Sequence, residues 1–107
     1  MNITTENKAL VELLLYGKST DKRYRKLPQR TIDGFLKAYT IIAEVERIED
    51  LYRYNGLHYE KLVGKLKGYE SVRCDKRYRL IFKSNAQQQI QITDVVLIEI
   101  TDHYGNL

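Results

Sequence analysis

Between Tyr69 and Lys83 the chain reads YESVRCDKRYRLIFK, and its apolar residues fall at every second position. A period of two marks extended strands with two distinct faces. Two strands must meet within this stretch, and the length of the turn decides which residues share a face. With a two-residue turn at Asp75 and Lys76, Cys74 faces Arg77 and Val72 faces Arg79, so both faces mix apolar with charged side chains. With an odd turn over Asp75, Lys76 and Arg77, Val72 and Cys74 share a face with Tyr78 and Leu80, and Arg73 lies opposite Arg79. A slip of one residue exchanges the faces, so register follows burial. The odd turn is therefore expected, although it contains no glycine. It leaves one apolar face and one face carrying Tyr69, Ser71, Arg73, Arg79 and Lys83.

The first half of the chain supplies a cover for the apolar face. A short strand is expected at Met1–Ile3. Thr5 reads as the cap of a helix with Glu6 in its first turn and Leu10, Leu13 and Leu14 on one side. Gly17 and Lys18 supply a stop. Ser19 to Lys26 is a basic loop, and Pro28 suits the first turn of a second helix. There Ile32, Phe35, Leu36, Tyr39, Ile42 and Ala43 keep the i, i+3, i+4 spacing, and the helix is expected to end near Ile48. Further strands are expected at Ile90–Ile92 and Val95–Ile100, with a bulge or turn near Thr93 and Asp94. The expected architecture is α+β, with two N-terminal helices packed on one face of an antiparallel β-sheet. With 107 residues, the chain has the length of one domain with a single core, spanning 1–107.

Charge is unevenly placed. The net charge is +4, yet Lys18–Arg30 holds six basic residues against Asp21 alone, and His58–Lys83 holds eight lysines and arginines against Glu60, Glu70 and Asp75. Concentrated positive charge points to an anionic partner, with nucleic acid first, or else to a solubilising surface. The single cysteine, Cys74, excludes an internal disulfide, and one cysteine with two histidines makes no zinc framework without help from carboxylates. No metal or cofactor is expected. The first residues, MNITTENKAL, do not form a basic region followed by an apolar one, and no apolar run approaches the roughly 20 residues of a membrane span. A cytoplasmic protein with no membrane partner is expected.

Arg73 and Arg79, paired across a hairpin, form a plausible phosphate site, because guanidinium is a rigid fork of donors that stays charged. The plainer reading pairs each with a carboxylate such as Glu99 or Asp102. The two histidines, His58 in GLHYEKLVG and His103 in ITDHYG, can both reach the rim of the arginine face. RNA can be cut when its own 2′-OH attacks the neighbouring phosphate. That reaction needs a base, an acid and cations, and histidine can take either proton role near neutral pH. Tyr104 could donate a proton or stack on a base. Taken alone, an isolated histidine beside a turn is more often a plain surface residue. The nine tyrosines, with no tryptophan, add a stacking surface, since Tyr24, Tyr52, Tyr54, Tyr59, Tyr69 and Tyr104 all have basic neighbours. Tyr39 and Tyr78 read as half-buried packing residues, and Cys74 as core.

The run GLHYEKLVGKLKGYESVRCDKRYRLIF, followed by VVLIEITDHYG, resembles the HigB branch of the RelE/ParE toxins. In that branch a Leu-His segment leads to Leu-Lys-Gly, a Tyr- or Trp-Ser-Ile/Val strand, a Tyr/Trp-Arg strand, and an end near Asp-Tyr-His. The two leading helices fit as well. The resemblance implies a small cytoplasmic toxin that cuts mRNA on the ribosome without a metal and is silenced by a cognate antitoxin, a HigA-like helix-turn-helix protein. Ser71, Arg73, Tyr78 and Arg79 match the hairpin pattern. His58 matches the family histidine with a two-residue insertion in Tyr59–Lys61. Val63 stands where the family has a lysine, with Lys65 or Lys67 nearby. Asp102 matches, followed by His103 and Tyr104 in reversed order. The stretch between Ser84 and Thr93 is longer than usual and would extend a hairpin.

The implied site joins Arg73 and Arg79 as phosphate ligands, His58 or His103 as the proton carrier, Asp102 as an orienting group, and Tyr104. Lys61, Lys65, Lys67, Lys83, Arg23, Arg25 and Lys26 would hold RNA backbone. Two other readings stay open: a ParE-like toxin that binds DNA gyrase without cutting RNA, and a plain RNA-binding module.

Overall fold

The computed structural model describes residues 1–87 and 92–102. Strand β1 (Asn2–Thr5) leads into helix α1 (Lys8–Tyr16) and helix α2 (Gln29–Glu44). Short 3-10 turns and strand β2 (Glu60–Lys61) follow, then β3 (Glu70–Arg73), β4 (Arg79–Gln87) and β5 (Ile92–Thr101). The strands lie in the order β1-β5-β4-β3-β2. Fold class agrees with the sequence reading in being α+β with helices on one face. The sheet is mixed, however, because β1 joins β5 in parallel, with Ile3 beside Val95. Parallel neighbours need a long connection, and the chain between these two strands provides it.

The hairpin has the odd turn. Val72 stands opposite Leu80 and Arg73 opposite Arg79. Val72, Leu80, Phe82, Val95, Leu97 and Ile100 form the buried face, packed on Leu10 and Leu13 of α1 and on Ile32, Phe35, Ala38 and Ile42 of α2. Cys74 is half-buried against this core, and burial, with Asp75 beside it, pushes its thiol up to about 12. Tyr39 and Tyr78 are half-buried on the same core. Glu70 also points to this side and is buried. It accepts bonds from the Tyr59 hydroxyl at 2.5 Å and the Ser84 hydroxyl at 2.7 Å. Burial and the Glu70 carboxylate together push the Tyr59 phenol far above its ordinary value.

Several boundaries differ from expectation. Asn7, not Thr5, caps α1, its side-chain oxygen accepting from the Ala9 and Leu10 amides. Thr5 is the last residue of β1, and its hydroxyl donates to the Leu97 carbonyl. Pro28 sits just before α2 rather than inside it. That helix ends at Glu44, because Val45 turns extended, and the apolar spacing resumes at Ile48 in a 3-10 turn (Ile48–Arg53). Ala43 is exposed, and Ala38 fills the stripe instead. No irregularity occurs at Thr93 or Asp94, which pair regularly with Ala86 and Asn85. The register shifts instead at Ile98, which falls between the Ile81–Glu99 and Phe82–Leu97 pairs. This extra residue lets both Leu97 and Ile100, three apart, face the core. The hairpin between β4 and β5 is long, with Gln87 opposite Ile92; Ile90 lies outside the described residues.

Beyond Thr5 the edge of β5 has lost its β1 neighbour, and side chains take over. Asn7 Nδ2 donates to the Ile98 carbonyl at 3.0 Å, and the Ile100 amide donates to the Tyr24 hydroxyl at 2.9 Å. Asn7 thus serves both a helix end and a sheet edge. Asn7→Ala is expected to cost about 2 kcal/mol, a cap plus one further hydrogen bond. Asn7→Asp keeps the cap but loses the donor and should cost about half as much. Urea denaturation of the three proteins measures the difference.

Candidate active site

The face of the sheet away from the helices carries the arginine pair. Arg73, Arg79 and Thr101 form one row across β3, β4 and β5. Glu60, Ser71, Ile81 and Glu99 form the next row, and Tyr69 lies beside Lys83 in the one after. The Lys83 ammonium sits 4.3 Å from the centre of the Tyr69 ring. The five residues expected on this face are all there.

Arg79 is only 8% exposed. Its Nε donates to the Ser71 hydroxyl at 2.9 Å and its Nη2 to the His58 carbonyl at 2.6 Å, with a Glu60 oxygen 3.8 Å away. It enters the site as a fixed cation, held from three sides. Arg73 is half-buried and, among the described residues, forms no ion pair. His58 has φ 44, a left-handed conformation uncommon for a residue with a side chain. That turn closes the 3-10 segment Asn55–Leu57, leaves the imidazole exposed, and presents the His58 carbonyl to Arg79. The bond from buried Arg79 to the His58 carbonyl holds this conformation in place. Arg73, Arg79 and His58 are thereby gathered at one end of the sheet.

The hairpin tip that aims the arginines is itself clamped. The Asp75 carboxylate accepts from the Arg77 and Tyr78 amides at 2.8 and 2.7 Å and from the Thr31 hydroxyl of α2, with Arg30 at 3.6 Å. Burial pushes this carboxyl up, but those donors outweigh it and hold it below its ordinary value.

The remaining candidates divide into groups. Asp102 accepts from Arg77 Nε at 2.9 Å, so its carboxylate serves the hairpin tip. His103 and Tyr104 lie outside the described residues. Arg23, Arg25 and Lys26 are exposed in the loop that Tyr24 pins to Ile100, at the same end of the sheet as the Arg79–Thr101 pair. Arg23 is bound to Asp21, which raises its pKa and lowers that of Asp21. Lys61, Lys65 and Lys67 are exposed at the opposite margin, on β2 and the turn Gly64–Leu66. Val63 is 83% exposed. Two of the tyrosines expected to stack on bases are structural: Tyr24 closes the β5 edge, and Tyr59 is buried against Phe82. Tyr52 and Tyr54 are exposed. Sequence reading overlooked Lys37, an exposed residue of α2 whose only signal is its place about two helical turns beyond the Arg30 and Thr31 clamp.

Charge runs along the molecule. The larger hollows, about 710 and 760 Å³, lie toward the far end of α2 and along the β4–β5 hairpin. The first balances Glu49 and Glu70 against Lys61 and Lys67, and the second is acidic, with Glu44, Glu46 and Glu49 against Arg47. Neither has a net positive lining. The smaller cleft of about 350 Å³ beside Arg73 and Lys37 has no carboxylate in its lining. Among the described residues no cluster of histidine, cysteine or carboxylate side chains is suited to a metal ion, and no helix is long and apolar enough to cross a membrane.

The chain is 36% identical over 63 residues to Toxin HigB-1 of Vibrio cholerae serotype O1 (strain ATCC 39315 / El Tor Inaba N16961), a match covering 59% of this chain and 66% of that protein. The fold is similar to that of a YoeB/ParE toxin from Agrobacterium tumefaciens, with a TM-score of 0.56 and 14% identity, over 97% of this chain and 100% of the other. Residues 12–97 match the model of the HigB-like toxins, described as the RelE-like toxin of the type II toxin–antitoxin system HigB. This chain therefore belongs to the HigB-like family of RelE-like toxins.

Proposed function

We propose that the chain is the toxin of a type II toxin–antitoxin pair and acts as a ribosome-dependent mRNA endoribonuclease, with residues 1–107 forming the toxin domain. The observation that carries this reading is the direct pairing of Arg73 with Arg79 on the face away from the helices, with the strained His58 turn bound to Arg79. The 2′-oxygen of one nucleotide attacks the adjacent phosphorus, a 2′-O–P bond forms, and the P–O5′ bond breaks. The products are a 2′,3′-cyclic phosphate and a 5′-hydroxyl. The arginines hold the phosphate and stabilise the charge gathered on its oxygens. His58 or His103 takes the proton from the 2′-OH or supplies one to the leaving oxygen. Asp102 orients a partner, and Tyr104 stacks on a base or donates a proton. The chemistry recruits no metal.

Arg23, Arg25 and Lys26 grip RNA backbone on one margin of the site, and Lys61, Lys65, Lys67 and Lys83 on the other. Binding that depends on so many cations should weaken by orders of magnitude as salt rises from about 50 to 200 mM. The natural restraint on such a toxin is a cognate antitoxin, here a HigA-like helix-turn-helix protein, and both act in the cytoplasm. Expression in bacteria, with 5′-end mapping of transcripts, should show arrested growth and new ends within translated codons. The exposed Val63, at a family lysine position, favours keeping a ParE-like action in view. Inhibited supercoiling by DNA gyrase, with transcripts intact, would establish that action instead.

A further inference from the structure

We propose that the cleft beside Arg73 is a binding site for one nucleotide of an RNA strand, seated next to the linkage that is cut. Its place next to the cut rests on the endoribonuclease reading; its capacity to bind a nucleotide does not.

The cleft exists because β2 is short. Glu60 and Lys61 pair with Ser71 and Glu70, so beyond Ser71 this side of β3 has no strand neighbour. The turn Asn55–Leu57 forms one wall, and α2 forms the opposite one with Gly34 and Lys37, Gly34 lying directly against the Cys74 backbone. The result is a hollow of about 350 Å³, within the range of small-ligand sites, roughly 300–1,000 Å³. Its lining has the composition of a nucleotide site. Lys37 and Arg73 are its charged residues, and neither is in an ion pair among the described residues. Both residues line the cleft, and a guanidinium and an ammonium are each suited to a phosphate. Tyr54 offers an exposed ring for a base, and the Asn55 amide offers donors and an acceptor for its edge. Cys74 also lines the cleft, and burial keeps its thiol neutral, so no anion opposes the phosphate.

Position links the cleft to the arginine pair. Arg73 belongs to both, lying opposite Arg79 across the hairpin. Leu57 in the cleft wall precedes His58, whose carbonyl holds Arg79. A strand crossing the arginine row can therefore place its next nucleotide in the cleft.

The test uses the full chain, labelled with ¹⁵N, and an RNA trinucleotide carrying 2′-O-methyl groups, which cannot be cut by 2′-oxygen attack. The amides of Lys37, Asn55, Gly56 and Cys74 should shift on titration. Lys37→Ala and Tyr54→Ala should each weaken binding roughly tenfold, the usual scale of one stacked base or one phosphate contact, whereas Tyr54→Phe should bind like the parent. Both residues are exposed, and melting curves will verify that the variants fold. Shifts confined to the Arg23–Lys26 loop, or unchanged binding in both alanine variants, would overturn the proposal. Primer extension on programmed ribosomes separates it from the reading it builds on. Cleavage by the parent with unchanged binding and cleavage in both variants defeats the cleft alone. A trinucleotide seated in the cleft of a protein that cuts no mRNA upholds the cleft and defeats the endoribonuclease.

Discussion

Arg79→Ala should lower mRNA cleavage on programmed ribosomes by roughly two to three orders of magnitude, the usual cost of removing one donor that meets developing transition-state charge. The size of the effect follows from how the side chain is held. Arg79 is buried, bonded to Ser71 and to the His58 carbonyl, and lies beside Glu60 and opposite Arg73. Its removal deletes a fixed charge and also frees the left-handed turn that carries the imidazole. It leaves the Ser71 hydroxyl and the His58 carbonyl to find other partners, at about 2–3 kcal/mol of stability. Stability and catalysis therefore have to be read separately. Arg79→Lys keeps the charge but cannot reproduce the two-point fork, so it should recover stability in part and cleavage very little. Single-turnover cleavage beside thermal melts of both variants makes the comparison. An Arg79→Ala protein that cuts within a few fold of the parent would remove this residue from the chemistry and shift the centre to Arg73 and the cleft.

That Arg73 and Arg79 share a face was legible in the sequence, because burial leaves only one register for the hairpin. Val72, Leu80 and Phe82 are apolar, and no other pairing buries them together. The α1 stop at Gly17 was legible for a similarly local reason: its φ of +72 is one that glycine adopts freely. What escaped depends on neighbours distant in the chain. Tyr24 looked like a stacking residue because it stands among arginines, but its hydroxyl is bonded to Ile100, seventy-six residues on. The bulge hid within Val95–Ile98, where four successive apolar residues give no alternation to break. The partners of Arg79 were hidden too, since the His58 carbonyl is a backbone group without a signature in composition. Charge clustering pointed to the basic end of the molecule, yet not to the cleft, which exists only because a two-residue strand stops early.

Gly34→Ala should lower the melting temperature by more than about 15 °C, reversing the usual sign of this exchange within a helix. In a helix interior, alanine is favoured over glycine by about 1 kcal/mol. Gly34 sits in the second turn of α2, where the helix lies directly on the backbone of the hairpin turn. A Cβ there would stand 1.7 Å from the Cys74 carbonyl oxygen and 2.5 Å from its carbon. The atoms met are main chain and cannot rotate aside, so either helix or hairpin must move. Forcing bulk into a packed contact costs about 1–3 kcal/mol even where side chains can adjust, and here the cost should exceed about 3 kcal/mol, a large part of a domain's stability. Movement of α2 would also pull Thr31 and Arg30 away from Asp75, loosening the clamp behind Arg73 and Arg79. Cleavage by the folded fraction should therefore fall as well. Gly17→Ala is the matching control: its site is open, with nothing within 4 Å of a new Cβ, and only its positive φ opposes the change, so its cost should stay near 1 kcal/mol. Circular dichroism melts of both variants decide the matter. A Gly34→Ala protein as stable as Gly17→Ala would mean that helix and hairpin do not meet as closely as the clamp requires.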